Sequence, residues 1–224
     1  MEIKLSQRTL RGQAHEILRN ELLAGRFAPG ERINEVQLAN EIGISRGTLR
    51  EAIRAFEQEG VLVTRPHQGT FVRTFTAREA VELQEVRAML ETEAAIRVSQ
   101  HWNEPTRRFL ETRLQDLRDA WDKDYAFPRR VAADVAFHES ILEASGNQML
   151  LELWQSLIGS MTVLVLTIGA QQWAPHQNPD EHARLLEAIA TADEALIRAV
   201  YEEVFDARFV TTEVPVQESA EVES

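Results

Sequence analysis

Two groups of residues in this chain have types and spacings that could do chemistry. The first is the run Ser45-Arg46-Gly47-Thr48-Leu49-Arg50. An arginine can bind guanine O6 and N7 through two parallel hydrogen bonds, and the hydroxyls of Ser45 and Thr48 can bond bases or phosphates. If the run opens a helix, its unpaired backbone amides also favour a phosphate. Gly47 has no side chain, so either a base contact is missing there or a nucleic-acid backbone can come close. Arg54, one turn beyond Arg50, would extend the basic face toward a phosphate. The second group is Asp134 and His138, four apart and therefore on one helix face, with His182 much further along. Inside a bundle, a carboxylate and an imidazole either bond each other or bind a cation. Spacing alone favours the hydrogen-bonded pair, and His182, beside Leu185, Leu186 and Ile189, reads by itself as a core or surface histidine.

The elements that must position these residues follow from periodicity. Apolar residues at helical spacing through Leu10, Ala14, Ile17, Leu18 and Leu22 predict a first helix ending at Ala24-Gly25, and Ala28-Pro29-Gly30 marks a turn. A short helix follows, with Asn34 as its N-cap and Val36, Leu38, Ala39 and Ile42 as its buried side. Gly43 breaks it. Ser45 then caps a second helix with Leu49, Ala52, Ile53 and Phe56 on one face, ending at Gly60. Two short β-type runs, Val61–Thr64 and Thr70–Val72, flank Arg65-Pro66-His67-Gln68-Gly69 and predict a hairpin with a loop longer than two residues. Its tip, with Arg65, His67, Gly69 and Thr70, would reach an adjacent minor groove or run along the backbone. Helix, short helix, turn, helix and hairpin in this order describe a winged helix-turn-helix, whose third helix enters the major groove.

From Thr76 onward the pattern is helical. Thr76-x-x-Glu79 is a capping box, and the helix after it runs through Val81, Leu83, Val86, Met89, Leu90, Ala94 and Ile96. Further helices are predicted over 104–123, 128–145, 148–170, 179–192 and 194–212, with Pro105, Pro128 and Pro179 at their starts and Asp193 as the last cap. The fold class expected is mainly α: a winged helix-turn-helix with a small β-hairpin over 1–75, then an all-helical bundle over 76–212. The acidic stretch 213–224 lacks periodicity and is expected to be disordered.

Composition bounds the function. The chain has 224 residues, 44% hydrophobic and 27% charged, which is globular usage. It has no cysteine, excluding disulfides, thiolate metal sites and a thiol nucleophile. The N-terminal stretch has no apolar core of signal-peptide length. Leu153–Ala170 carries no formal charge, but Gln155, Ser156, Gly159, Ser160, Thr162 and Thr167 interrupt it. It reads as a helix of a bundle or dimer core in a soluble, cytoplasmic protein with no membrane partner. The formal net charge of −12 is uneven: residues 1–75 hold 11 Lys and Arg against 9 Asp and Glu, and the rest hold 13 against 27. The acidity thus belongs to the second part, which would repel DNA.

Leu38-Ala39-x-x-Ile42-Gly43-Ile44-Ser45-Arg46-Gly47-Thr48-Leu49-Arg50-Glu51-Ala52-Ile53, with Glu59-Gly60-Val61-Leu62 and Gly69-Thr70-Phe71-Val72, closely resembles the GntR family of bacterial transcription regulators. The resemblance implies DNA contacts by Arg46, Arg50, the Gly47/Thr48 pair and the Gly69 wing tip. The usual Thr-Pro or Thr-Thr after the arginine is Gly-Thr here, and the basic residue many relatives place near Val36 is absent. Residues 76–212 resemble the helical ligand-binding domain of the FadR-type branch, FCD, through Glu85-Val86-Arg87-x-x-Leu90-Glu91, Asp134-x-x-x-His138, Ala144-Ser145-Gly146-Asn147 and Glu181-His182. Many FCD domains bind a divalent metal, zinc or similar, through an Asp-x-x-x-His pair, a Glu-His histidine and a histidine in the last helix. Asp134, His138 and His182 match the first three. The fourth position falls on Val204, and no histidine follows His182. Three ligands can still hold Zn²⁺ with water or an effector carboxylate in the open position; alternatively a small molecule contacts the same groups without metal.

The resemblance also implies a homodimer, an inverted-repeat operator on double-stranded DNA and a small-molecule effector, a metabolite, that controls binding as in a repressor. The arginines that help FCD relatives bind organic acids are missing from Leu157–Leu164. Arg87, with Arg97 as a further candidate, remains to meet an anion, so the expected cavity is more apolar than usual and suits a larger or less charged ligand. The competing reading is a metal-dependent enzyme on a helical bundle, with Asp134, His138 and His182 around a hydrolytic water. No His-Glu-x-x-His, no paired Glu-x-x-His and no general base placed by motif support it, and the expectation is a protein that is not an enzyme.

Overall fold

Helix α1 (Leu10–Leu23) turns Ala14, Leu18 and Leu22 inward against α3 (Arg46–Gln58), which returns Leu49, Ile53 and Phe56. Each such fully buried large side chain stabilises by about 1.5–3 kcal/mol over an exposed one. The computed structural model describes residues 10–123, 126–169, 173 and 178–205, and the chain divides into two units between Thr74 and Phe75. In the first unit α2 (Glu35–Ile42) is capped by the Asn34 side chain, which accepts from the Gln37 amide. Gly43 ends it at φ +75°, where a side chain would meet nothing within 4 Å. Backbone sign and not space therefore calls for glycine, and the tight turn into α3 depends on it.

The small sheet has three strands. β1 (Arg32–Ile33), β2 (Leu62–Arg65) and β3 (Gly69–Val72) lie in the order β1-β3-β2, all antiparallel, with Arg32 opposite Phe71 and Arg65 opposite Gly69. The hairpin expected from sequence is β2–β3. The extra strand is two residues long, too short to show alternation, and forms only because β3 offers it an edge. A second difference concerns Val36: the short helix was expected to bury it, yet it is 48% exposed while Leu38 and Ala39 fill the core. Position 36 lies in the first turn and borders the open cleft beside Arg46 and Arg50, not the packed side of α3.

The second unit is all helix: α4 (Ala77–Gln100), α5 (Glu104–Asp122), α6 (Phe127–Ala144), α7 (Gln148–Ile168), α8 (Pro179–Thr191) and α9 (Glu194–Val204). Thr76 and Glu79 form both bonds of the capping box, and Asn103, Asn147, Asn178 and Asp193 cap later helices. The last helix was expected to reach 212; it ends at Val204, and residues 206–224, including the acidic tail, lie outside the described residues. Helix α4 packs against α6, α7, α8 and α9. Its apolar series marks its inner face only in part: Leu83, Ala94 and Ile96 are buried, but so are Gln84, Arg87 and Glu91, whereas Val86 and Met89 are exposed. Among the described residues α7 alone is long and apolar enough to cross a membrane by length and composition. In the fold it packs on α4 and α6, burying Trp154, Met161, Val163 and Leu164 and leaving Met149 and Leu153 exposed.

Candidate DNA-reading face and buried effector centre

Ser45 caps α3 by accepting from the Thr48 amide at 3.1 Å, and the two hydroxyls lie 2.9 Å apart. The turn before α3 thus sets where its first residues point. Arg46, Gly47 and Arg50 are exposed there. A side chain at Gly47 would approach the Ser45 hydroxyl no closer than 3.6 Å, so packing within the chain does not demand glycine. The open surface left by Gly47 faces outward, as a close DNA backbone would need.

Glu35, which sequence reasoning passed over, organises this face. One carboxylate oxygen accepts from Arg50 Nε at 3.1 Å and the other from the Thr70 hydroxyl at 3.1 Å. The recognition helix and the wing are therefore joined through one side chain on α2. Thr70 was expected to reach DNA. Instead it is 1% exposed, its hydroxyl also 3.0 Å from that of Thr64, because inward-facing residues of β3 fill the space under the sheet. Arg65 and His67 are exposed at the wing, Arg65 with its guanidinium 4.8 Å from the Phe71 ring centre. Arg54 is exposed but pairs with Glu51 at 2.9 Å, which weakens its pull on a phosphate. Replacing Glu35 by glutamine is expected to free Arg50, lowering the ratio of operator to random-duplex affinity while total attraction to DNA rises with the lost negative charge. Competition binding at fixed salt reads both numbers, and an unchanged ratio would sink the assignment.

The second centre lies among α4, α6, α8 and α9. Asp134 and His138, expected to bond each other or a cation, each find another protein partner. Asp134 Oδ1 is 3.0 Å from His182 Nε2, and His138 Nδ1 is 2.7 Å from Glu91 Oε2. An i,i+4 pair on one helix points its polar atoms toward neighbouring helices, and here α8 and α4 supply closer partners. Glu91, fully buried, also accepts from Arg87 Nε at 2.6 Å and from Trp154 Nε1 at 2.8 Å, both on Oε1. Burial by itself would raise its pKa. The Arg87 charge and then His138, with the hydrogen bonds from His138 and Trp154, outweigh that and hold it at about 2. Asp134 is likewise held below the usual range: burial opposes ionisation, but the His182 bond and the nearby His138 charge prevail. Burial, aided by the Arg87 charge, pushes His138 down against the pull of Glu91.

This hydrogen bonding is what a metal site requires. His182 Nδ1 faces the Asn178 carbonyl at 2.9 Å and His138 Nδ1 faces Glu91, so with the proton on Nδ1 each ring would keep Nε2 as its donor atom for a metal. His182 then turns Nε2 toward the Asp134 carboxylate, although a neutral imidazole has only one N–H to give. A cation held between Nε2 and Asp134 would resolve the facing acceptors. One donor atom each from Asp134, His138 and His182 lies within 4.8 Å of the others, all three residues buried. The donor set fits a zinc-like ion.

The fourth side is hydrocarbon. Val204 is half-buried, and the next residue, Phe205, sets its ring 5.9 Å from that of His138 and 4.8 Å from the Arg87 guanidinium. Arg87 is thus already matched by Glu91 and covered by Phe205, and Arg97 is exposed and paired with Glu93. The Tyr201 hydroxyl, missed in the sequence, is buried without a hydrogen-bond partner among the described residues. Burial, reinforced by the Glu91 charge, keeps it protonated.

A winged helix-turn-helix ahead of a helical domain with a buried Asp-His-His cluster defines a class of bacterial regulators. The pattern of bacterial regulatory proteins of the gntR family matches residues 10–72, and that of the FCD domain matches residues 82–207. The chain belongs to the GntR family of transcription regulators, with an FCD domain as its effector-binding part. It is 32% identical over 141 residues to the uncharacterized HTH-type transcriptional regulator YdhC of Bacillus subtilis strain 168, covering 63% of each chain. It is 27% identical over 198 residues to a Paenarthrobacter nicotinovorans protein named "Probable D-xylose utilization operon transcriptional repressor", covering 86% of this chain and 84% of that one. The fold matches Escherichia coli McbR/YncC with a TM-score of 0.71 at 22% identity, over 89% of this chain and 95% of that structure.

Proposed function

We propose that this protein is a cytoplasmic, ligand-responsive repressor that binds an inverted-repeat operator as a homodimer and changes its affinity when a small metabolite enters the helical domain. The observation that carries this is the exposed start of α3, where Arg46 has no acidic partner among the described residues and Arg50 is steered by Glu35 and the wing. In a two-fold assembly two such helices meet half-sites about one DNA turn apart. Val86 and Met89 on α4 and Met149 and Leu153 on α7, exposed on helices that pack together, supply apolar surface for self-association. The test is direct: purified protein should prefer duplex from its own upstream region over random duplex, with affinity falling as salt rises. Equal binding to both would end the proposal.

In the helical domain, Asp134, His138 and His182 would hold one divalent ion, which supplies an open coordination position for a carboxylate, carbonyl or hydroxyl of the effector. The buried part of α7 over Met161–Leu164 carries no charge, and Arg87 is matched by Glu91, so a ligand less anionic than a dicarboxylate suits the domain. The orphaned Tyr201 hydroxyl offers such a ligand a hydrogen bond. Untreated protein is expected to carry about one ion per chain and to lose it on His138→Ala. Chelation should lower the melting temperature of the parent and leave the variant unmoved; at an ion concentration of about 100 Kd the difference is on the order of 3 kcal/mol. A metal-free parent that still responds to a metabolite would leave the three side chains as direct ligand contacts.

A further inference from the structure

We infer that Arg32, on the first strand of the sheet, is a DNA-phosphate contact beside the start of α3. This rests on the DNA-binding reading above. A cleft of about 390 Å³ opens beside the start of α3, lined by Arg32, Glu35, Val36, Arg46, Arg50 and Gly69. Three guanidiniums border it and one carboxylate. Both oxygens of that carboxylate, Glu35, are already engaged, by Arg50 and by Thr70, and among the described residues neither Arg32 nor Arg46 bonds to it. Among the described residues neither Arg32 nor Arg46 has an acidic partner. Unpaired cations converging on a concave surface repel one another unless an anion enters, and the polyanion presented to this face is the DNA backbone.

The seat of Arg32 is built by the wing. β1 pairs with β3, and the Arg32 side chain lies across the backbone at Gly69: a Cβ there would come within 2.9 Å of Arg32 Nε and 3.2 Å of Nη2. Gly69, at φ +102°, therefore serves two ends, a turn that other residues rarely adopt and a backbone bare enough for a guanidinium to lie against it. The wing holds Arg32 toward the cleft that Arg46 and Arg50 share.

The experiment is a salt titration of DNA binding by the full chain, read by fluorescence anisotropy on upstream and random duplexes. Arg32→Ala should weaken both by a similar factor, roughly fivefold near physiological salt, and flatten the slope of log K against log salt by about 0.9, as expected for one lost phosphate contact. Arg32→Lys should keep the slope. Arg32→Gln, which retains most of the stem, carries the test if the alanine variant melts early. An unchanged slope overturns the inference, even if affinity falls, because a purely structural role for Arg32 moves affinity alone. A loss confined to one DNA sequence also overturns it, as that would mean base reading. Arg46→Ala run in parallel separates the two levels: if it weakens operator binding while the Arg32 variants do nothing, only the Arg32 assignment fails. If the unmodified protein shows no salt-dependent binding, the DNA reading fails with it.

Discussion

Arg46→Ala is expected to cut the preference for the operator over random duplex by about 1–3 kcal/mol, roughly 5- to 150-fold, if its guanidinium reads one guanine. Arg46 is the first residue of α3, exposed and without an acidic partner among the described residues. Nothing in the folded protein competes with a base for it. Arg54 is the contrast: the same side chain on the same helix, already paired with Glu51, so Arg54→Ala should change operator preference far less. Because Arg46 is exposed, its variant should melt with the parent, and a competition assay then reports recognition alone. An Arg46→Ala protein that discriminates operator from random duplex as well as the parent does would move the reading surface elsewhere.

The largest stability effect is expected from Glu91→Leu. Glu91 is fully buried and receives Arg87, His138 and Trp154. Removing it strands the Arg87 cation in the interior, which typically costs about 3–5 kcal/mol. For a domain of this size that is a fall in melting temperature on the order of 10 °C. The double variant Arg87→Met/Glu91→Leu removes both charges and should recover part of the loss, since a matched apolar replacement of a buried pair is often neutral. Recovery stays partial because His138 Nδ1 and Trp154 Nε1 keep no acceptor. Thermal melts of the single and double variants decide it. If the double is no better than the single, the cluster owes its stability to packing and not to charge pairing.

Much of the architecture was legible because it rests on local signals. Asn34, Ser45, Thr76-x-x-Glu79 and Asp193 cap helices through bonds spanning two or three residues, and the structure shows each of them. The β2–β3 hairpin was legible for the same reason. Strand β1 was not, since two residues carry no periodicity and pair only with an edge supplied from elsewhere in the chain. Val36 looked buried because apolar type at helical spacing was the sole guide, and the face it presents depends on what packs beside it.

The sites divide along the same line. From sequence alone came the arginines of the recognition helix and the Asp134, His138 and His182 triad, because residue type and short spacing, with family resemblance, mark them. Only the tertiary structure decided whom they bond. Glu35 joins Arg50 to Thr70 across 15 and 35 positions, and Glu91 holds His138 across 47. Partnerships at such separations follow from the packing of α2 beneath the sheet and of α4 among its neighbours. Spacing along the chain determines which residues share a face; the fold determines what that face meets.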